Sequence, residues 1–519
     1  MEIRNIASSL IKLLKNALCV VVVSILFSQQ AFAQTLPQSH YKNNSPLCET
    51  NKGEPPKSEL VAKKKISQLV EDAKSKGLTG YVYVSSCGEV VLSQAAGAQN
   101  EAKQIANSMT TVFDIGSNTK QFTAAAILKL AEQKKLSLEQ PLSAFFSDVP
   151  SDKADITIHQ LLTHSAGFQE SMGRDFQPLS KIEFIQKALA LPLTPKGVYH
   201  YSNIGYGFLT AIIEKVTGDS YESYLVSEFF KPLGMGQTGY LLPTWKDDNL
   251  AIGYHRGYRD IGTIIQRYQE SGVSWHLVGN GGLQSTTQDL VTWLNALQAG
   301  EVLSQSSINL MLTQQVKHET SDWQYGYGWG VRFSDDKQKI VSHNGSNGVY
   351  WSSLYWLPES ESFIIVSSNG EMNNITPLAS RIKNILINPN NDVQPVKRDI
   401  YWEIAQYIRQ TTDVSWQQLV QFLTQNELHI DNGFILNRLG FWALDNVSVE
   451  WGISLLEQNL LLFPSNGEWH DSLGEARFML KQYSKAAISF EKALLLAENE
   501  NCNWCENSRE KLEEIKAMQ

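Results

Sequence analysis

A hydroxyl and an amine stand three residues apart in TTVFDIGSNTKQFTAAAILKLAEQ, the stretch Thr110–Gln133: they belong to Ser117 and Lys120. Phe122, Ala125, Ile127 and Leu130 mark a helical stripe behind them, and the Ser-Asn-Thr ahead of it suits a helix start. That spacing puts both side chains on one helix face. A serine that keeps its ordinary proton is a poor nucleophile, and an amine held close lowers that barrier. Burial against the apolar stripe would push the Lys120 pKa down and favour the neutral, proton-accepting amine. Taken alone, Ser-x-x-Lys is common on solvated helices, so its meaning depends on what else converges on it. A phenol is the next candidate. Tyr201-Ser202-Asn203 immediately precedes a helical pattern with Phe208, Leu209, Ile212, Ile213 and Val216 on its apolar face. Tyr201 then sits in a loop before a rigid element, a suitable place for a proton carrier.

With these segments on the page, the chain resembles the serine β-lactamase and D-alanyl-D-alanine peptidase family, in particular its class C β-lactamase, D-aminopeptidase and esterase branch, over roughly residues 60–385. Ser117-x-x-Lys120 matches the nucleophile motif and Tyr201-x-Asn203 the second motif. His343-Asn344-Gly345, followed by Ser346, matches the third, where the family places Lys-Thr-Gly or His-x-Gly on an edge strand. ITIHQLLTHSAGF (Ile156–Phe168), Pro232-Leu233-Gly234-Met235 and Gly281-Gly282-Leu283 look like framework segments of the same family.

The resemblance implies an α+β fold, a β-lactamase/transpeptidase-like antiparallel sheet with helices. It also implies roles. Ser117 is the acylating nucleophile, and Lys120 and Tyr201 share general-base and general-acid work. Asn203 positions Lys120 and the substrate, while His343, Gly345 and Ser346 line the third-motif side. Backbone N–H groups of Ser117 and Ser346 form the oxyanion hole. Typical class C β-lactamases carry lysine where this chain has His343, so the resemblance favours a D-alanyl or D-amino-acid peptidase or an esterase over a true β-lactamase. If His343 must be neutral to assist, activity is expected to fall on acidification through the ordinary histidine range. The resemblance calls for no metal and no cofactor. An acyl substrate, peptide or small molecule, is the implied partner. A reading from a different class is a catalytically weak penicillin-binding or scaffold protein whose helical repeats recruit another protein.

The elements that must position these groups follow from periodicity. GYVYVSSCGEVVLSQAAG (Gly80–Gly97) alternates β-branched and aromatic residues around Cys87-Gly88 and reads as a hairpin. Helical patterns dominate from there to about residue 315. Strands near Lys339–Val341 and Tyr350–Leu357 and another in ESFIIVSSNG rebuild the sheet from the far end of the domain, and a helix over Ile375–Ile387 closes it. His164 is expected to be a hydrogen-bonded framework residue. Tyr199, His200, Tyr325, Tyr327, Trp329 and Trp351 suit either a cleft or plain packing. Thr286 with Asp289 reads as a helix cap. Gly279–Gly282 lacks the Lys-Ser/Thr ending of a phosphate loop.

The remaining features bound the organisation. Arg4, Lys12 and Lys15, an apolar run Ala17–Phe27 and Ala31-Phe32-Ala33 have the order of a secretory signal peptide, with cleavage expected after Ala33. The run is short for a membrane span. The expected organisation is therefore a signal peptide over 1–33, a loose lead-in over 34–58, the hydrolase domain over 59–387, a linker over 388–399 and a helical region over 400–519. The expected location is periplasmic or secreted. A net charge of −9 becomes about −11 after cleavage, and no basic surface for nucleic acid is visible. An exported location permits Cys48–Cys87 and Cys502–Cys505 disulfides, whose pairing sequence leaves open. In the helical region Leu439-Gly440 recurs as Leu473-Gly474, a 34-residue period like that of tetratricopeptide repeats. Ala486, Phe490 and Ala493 fall at packing positions of the second copy, whereas Gly452, Leu456 and Asn459 stand at the matching places of the first. Any helical hairpin also needs alternating small and large residues, so a binding role is not implied.

Overall fold

The computed structural model describes residues 57–317, 323–370, 375–411, 413–497, 502 and 504–518. The expected leader, Cys48 and all but the end of the expected lead-in lie outside them. In chain order the strands are β1 (Gly80–Ser86), β2 (Glu89–Ala96), β3 (Ala98–Asn100), β4 (Ile105–Ala106), β5 (Val112–Asp114), β6 (Tyr254–His255), β7 (Arg259–Asp260), β8 (Gln284–Thr286), β9 (Val316–Lys317), β10 (Gln324–Tyr325), β11 (Gly330–Phe333), β12 (Lys339–Ser346), β13 (Trp351–Leu357) and β14 (Ser362–Ser368). Eight form the main sheet, in the order β2-β1-β14-β13-β12-β11-β10-β9. Its pairs are antiparallel, and β1 meets β14, so the first and last strands of the domain lie side by side.

Strand alternation explains why this sheet has two buried faces. Side chains one residue apart point to opposite sides. Tyr81, Tyr83, Phe363 and Ile365 enter the larger core, under the helices that carry the motifs. Val82, Val84, Ile364 and Val366 enter a second core, roofed by the helices Lys57–Ser75 and Ile375–Ile387. The expected hairpin, the three strands from the far end and the closing helix are all present. Strands β9, β10 and β11 extend the sheet beyond what periodicity indicated, because runs of two to four residues are too short to show it.

Beyond Ile387 the chain is not slack. Val396 is buried in the second core, its N–H donates to Asp72 Oδ2 at 2.9 Å, and its carbonyl accepts from Lys76 Nζ at 2.7 Å. Helices follow from Ile400 onward. Two successive pairs begin at Gly433 and Val449, then at Gly467 and Tyr483, offset by 34 residues. The offset has a packing cause. A Cβ on Gly440 would come within 2.7 Å of Leu456, and one on Gly474 within 2.6 Å of Phe490, so each glycine lets the next helix close in at the same repeat position. Cys502 and Cys505 are bonded to each other, and Cys87 is also in a disulfide.

The helical region is seated on the domain that carries the sheet. Tyr258, from the β6–β7 turn, is buried in a core made by Tyr401, Ile404, Ile408 and Trp442, and Arg409 donates to its carbonyl at 2.9 Å. Among the described residues no helix is long and apolar enough to cross a membrane.

Candidate active site

Ser117 lies in a 3-10 turn, Gly116–Thr119, that runs directly into the helix Lys120–Glu132. That helix is buried nearly all round, so the Lys120 amine has no route to bulk water and must find partners inside. It has three. Lys120 Nζ is 3.1 Å from Ser117 Oγ, 2.7 Å from Asn203 Oδ1 and 2.7 Å from the carbonyl of Asn280. Two of these are carbonyl oxygens, which can only accept. A neutral amine has two N–H groups and one lone pair. In the neutral form, with both N–H groups given to Asn203 and Asn280, the lone pair faces Ser117 Oγ; in the ammonium form a third N–H donates to that oxygen. Burial pushes the Lys120 amine well below the usual lysine range; the carboxylates of Asp175 and, less strongly, Glu170 oppose that shift.

Tyr201 closes the triangle. Its phenol is hydrogen-bonded to Ser117, and its ring centroid lies 4.7 Å from Lys120 Nζ. Burial raises the phenol above its ordinary value, so Tyr201 keeps its proton at neutral pH. The helix Asn203–Thr217, capped at Ser202 by a bond from Gly205 N, holds Asn203 at its first turn. His164 is the framework residue expected: its Nδ1 accepts from Ser202 N at 3.0 Å, and its ring packs on Tyr201 with centroids 4.4 Å apart.

The third motif lies along β12. Strand β11 pairs only with Lys339–Ser342, so it does not cover His343–Ser346. Gly345 and Gly116 let this stretch touch the nucleophile turn. A Cβ on Gly116 would sit 2.5 Å from Ser346 N, and one on Gly345 would sit 2.8 Å from Ser117 N. The two backbone nitrogens expected to form an oxyanion hole are thereby on facing segments.

His343 behaves differently from the sequence-based expectation. Its Nδ1 lies 2.7 Å from the Asn344 carbonyl and so carries the proton, leaving Nε2 to accept from the Tyr325 hydroxyl at 2.9 Å. Burial, with Lys120 nearby, lowers the imidazole to about 3. A depressed histidine is neutral above its folded pKa, so His343 carries no charge change between pH 5 and 8, and the expected acid fall through the histidine range has no source there. The replacement His343→Gln is therefore expected to alter the size of kcat/KM but leave the midpoint of its acid limb in place. A pH profile whose limb moved by a full unit would contradict this assignment.

A cavity of about 380 Å³ opens beside these groups, lined in part by Tyr199, Tyr201, Trp323, Tyr325, Arg332 and His343. Of the other aromatics, Tyr327 and Trp329 belong to the core, and Trp351 packs on the second core. Thr286 caps its helix by accepting from Asp289 N at 3.0 Å, as read from sequence. Three contributors had no motif. Asn280 acts through its backbone carbonyl, which has no side-chain signature, although the glycine-rich run around it was visible. Glu170 and Asp175 come from the loop before the helix Lys181–Ala190. Among the described residues no group of three or more metal-binding side chains is gathered.

An antiparallel sheet whose third-motif strand abuts a Ser-x-x-Lys turn is the architecture of penicillin-binding proteins and serine β-lactamases, a family of acyl hydrolases. Residues 62–380 match the family model described as Beta-lactamase, and the chain belongs to that family. Protein flp of Staphylococcus aureus is 27% identical over 345 residues, 63% of this chain and 67% of that one. An octameric penicillin-binding protein homologue from Pyrococcus abyssi superposes with a TM-score of 0.55 at 26% identity, over 66% of this chain and 81% of the other. The D-amino acid amidase of Ochrobactrum anthropi SV3, solved with D-phenylalanine, shares the fold with a TM-score of 0.53 at 21% identity, over 63% of this chain and 99% of its own.

Proposed function

We propose that the protein is an exported serine hydrolase that forms an acyl-enzyme on Ser117, acting on D-alanyl or other D-amino-acid peptides, amides or esters. The carrying observation is the partner set of Lys120: two carbonyl acceptors and the Ser117 hydroxyl, around an amine that burial favours in its neutral form. Lys120 takes the Ser117 proton as Oγ attacks the acyl carbon. Tyr201, which keeps its proton, donates to the leaving amine or alkoxide. The N–H groups of Ser117 and Ser346 receive the oxyanion. Water then attacks the ester carbonyl with the roles reversed, releasing the acid and restoring Ser117.

The substrate class rests on charge. Asp175 and Glu170 set negative potential beside Lys120, and the Glu170 carbonyl accepts from Asn203 N at 2.8 Å, which holds this loop against the second motif. These carboxylates would attract an acyl group bearing an ammonium on the Lys120 side, while Arg332 is the charged residue in the cavity lining; a D-amino-acid substrate is in keeping with the amidase that shares the fold. His343 in the third-motif position weighs against efficient β-lactam turnover. The helical region, read as tetratricopeptide-like repeats, is proposed as a docking module for a protein partner.

Incubation with a fluorophosphonate, followed by peptide mass mapping, is expected to place the adduct on Ser117. A panel of D-alanyl amides, p-nitrophenyl esters and a chromogenic cephalosporin is expected to be turned over in that order of preference. Absence of any adduct or turnover would favour a scaffold with a silent site.

A further inference from the structure

Asp114, the last residue of β5, lies outside every catalytic motif, yet its side chain spans the two halves of the site. The residue is 1% exposed. Its Oδ1 accepts from Gly116 N at 2.6 Å, and its Oδ2 accepts from Asn347 Nδ2 at 2.9 Å. Gln284, its partner across β5 and β8, is a third hydrogen-bond partner of the side chain. Gly116 is the residue before the nucleophile, and Asn347 is the residue after Ser346. Asn347 in turn organises its own turn, its Oδ1 accepting from Val349 N at 3.1 Å and Tyr350 N at 2.9 Å. One carboxylate therefore ties the backbone entering Ser117 to the backbone leaving Ser346.

We propose that Asp114 is a positioning residue for the oxyanion hole, a clasp that fixes the separation of the Ser117 and Ser346 N–H groups through Gly116 and Asn347. This rests on the acyl-enzyme reading of Ser117. The physical case is that these N–H groups belong to different segments, a 3-10 turn and a sheet strand, joined covalently only through the long stretch of chain from Ser117 to Ser346. Preorganised donors are effective only where they point before charge develops, and a displacement of about 1 Å is enough to cost much of the rate. The glycine contacts at 116 and 345 set how closely the segments can approach. Contact alone resists compression but not separation; a bidentate carboxylate with a donor on each side resists separation. Burial raises Asp114 to about 6 while its donors oppose that shift, so at pH 7.5 and above it is an anion, the form that accepts from every donor around it.

The test is a swap. Asp114→Asn preserves shape but sets an amide NH2 against the Asn347 NH2. Asn347→Asp sets two carboxylates together. The double exchange Asp114→Asn/Asn347→Asp restores one donor facing one acceptor. At pH 8 each single variant is expected to lower kcat and the rate of fluorophosphonate labelling by about tenfold or somewhat more, with KM changed less than threefold and thermal melting showing a folded protein. The double variant is expected to recover most of the labelling rate. Single variants that label within twofold of the parent, or a double variant slower than either single, would overturn the clasp. A parent protein that no acylating probe labels would instead overturn the reading of Ser117, and the clasp with it.

Discussion

Methionine at position 120 is expected to slow acylation of Ser117 by about a thousandfold or more, the upper range of what a positioned base contributes. Lys120 is 0% exposed, and methionine fills nearly the same space without a buried charge, so the loss reports on the amine and not on a cavity. What remains unpaired is a pair of carbonyl oxygens, Asn203 Oδ1 and Asn280 O, and that costs about 1–3 kcal/mol of stability each at most. Arginine at the same position separates charge from basicity. A guanidinium keeps the positive charge and the donors but does not release a proton in a protein. If Lys120 acted only by attracting a developing anion, Lys120→Arg would retain much of the rate. If it accepts the Ser117 proton, as the burial that favours its neutral form allows, arginine fails as badly as methionine. Stopped-flow labelling with a fluorophosphonate, with melting curves for both variants, decides between these, and an arginine variant within tenfold of the parent would overturn the base assignment.

The residues legible in the sequence were those whose chemistry sits in the side chain. Ser117, Lys120, Tyr201 and Asn203 are uncommon in that order and spacing, and the structure brings them to one point. The two ends of the sheet were equally readable, because Gly80–Gly97 and Ser362–Ser368 are long enough to show period-two patterning. What escaped was of two kinds. Strands β9 to β11 are too short for periodicity and exist because β12 offers an edge to β11, β11 to β10 and β10 to β9, a tertiary effect that no local pattern encodes. Asn280 and Asp114 escaped because each acts through or upon the backbone: Asn280 lends its carbonyl, and Asp114 receives an N–H from Gly116. Charge at His343 was misjudged for a related reason. Residue type and position point to a group titrating near neutrality, but burial, with Lys120 nearby, lowers the ring to about 3.

The closeness of the nucleophile turn to β12 makes a second strong prediction, about a residue with no functional group at all. Gly345→Ala is expected to lower kcat by about a hundredfold, the usual cost of losing one oxyanion donor. The new methyl would lie 1.9 Å from the Ile115 carbonyl oxygen and 2.8 Å from Ser117 N. Both obstacles are backbone, so neither can swing aside as a flexible side chain would. The Ile115 amide is itself fixed by a bond from Ile115 N to Leu283 O at 2.9 Å, and Asn118 Nδ2 anchors the turn to the Ser352 carbonyl at 3.1 Å. Relief must come from moving β12 outward, which draws Ser346 N away from Ser117 N. Overpacking of this kind also costs stability, about 1–3 kcal/mol, so part of any loss could reflect unfolding. Gly236→Ala supplies the comparison, since a Cβ there meets nothing within 4 Å. That variant should match the parent in both melting and rate. The decisive quantity is kcat of the folded fraction of Gly345→Ala at a temperature well below its melting point, with KM read alongside. A normal kcat under those conditions would mean that β12 can shift without disturbing the donors, and the Ser117–Ser346 oxyanion hole would have to be abandoned.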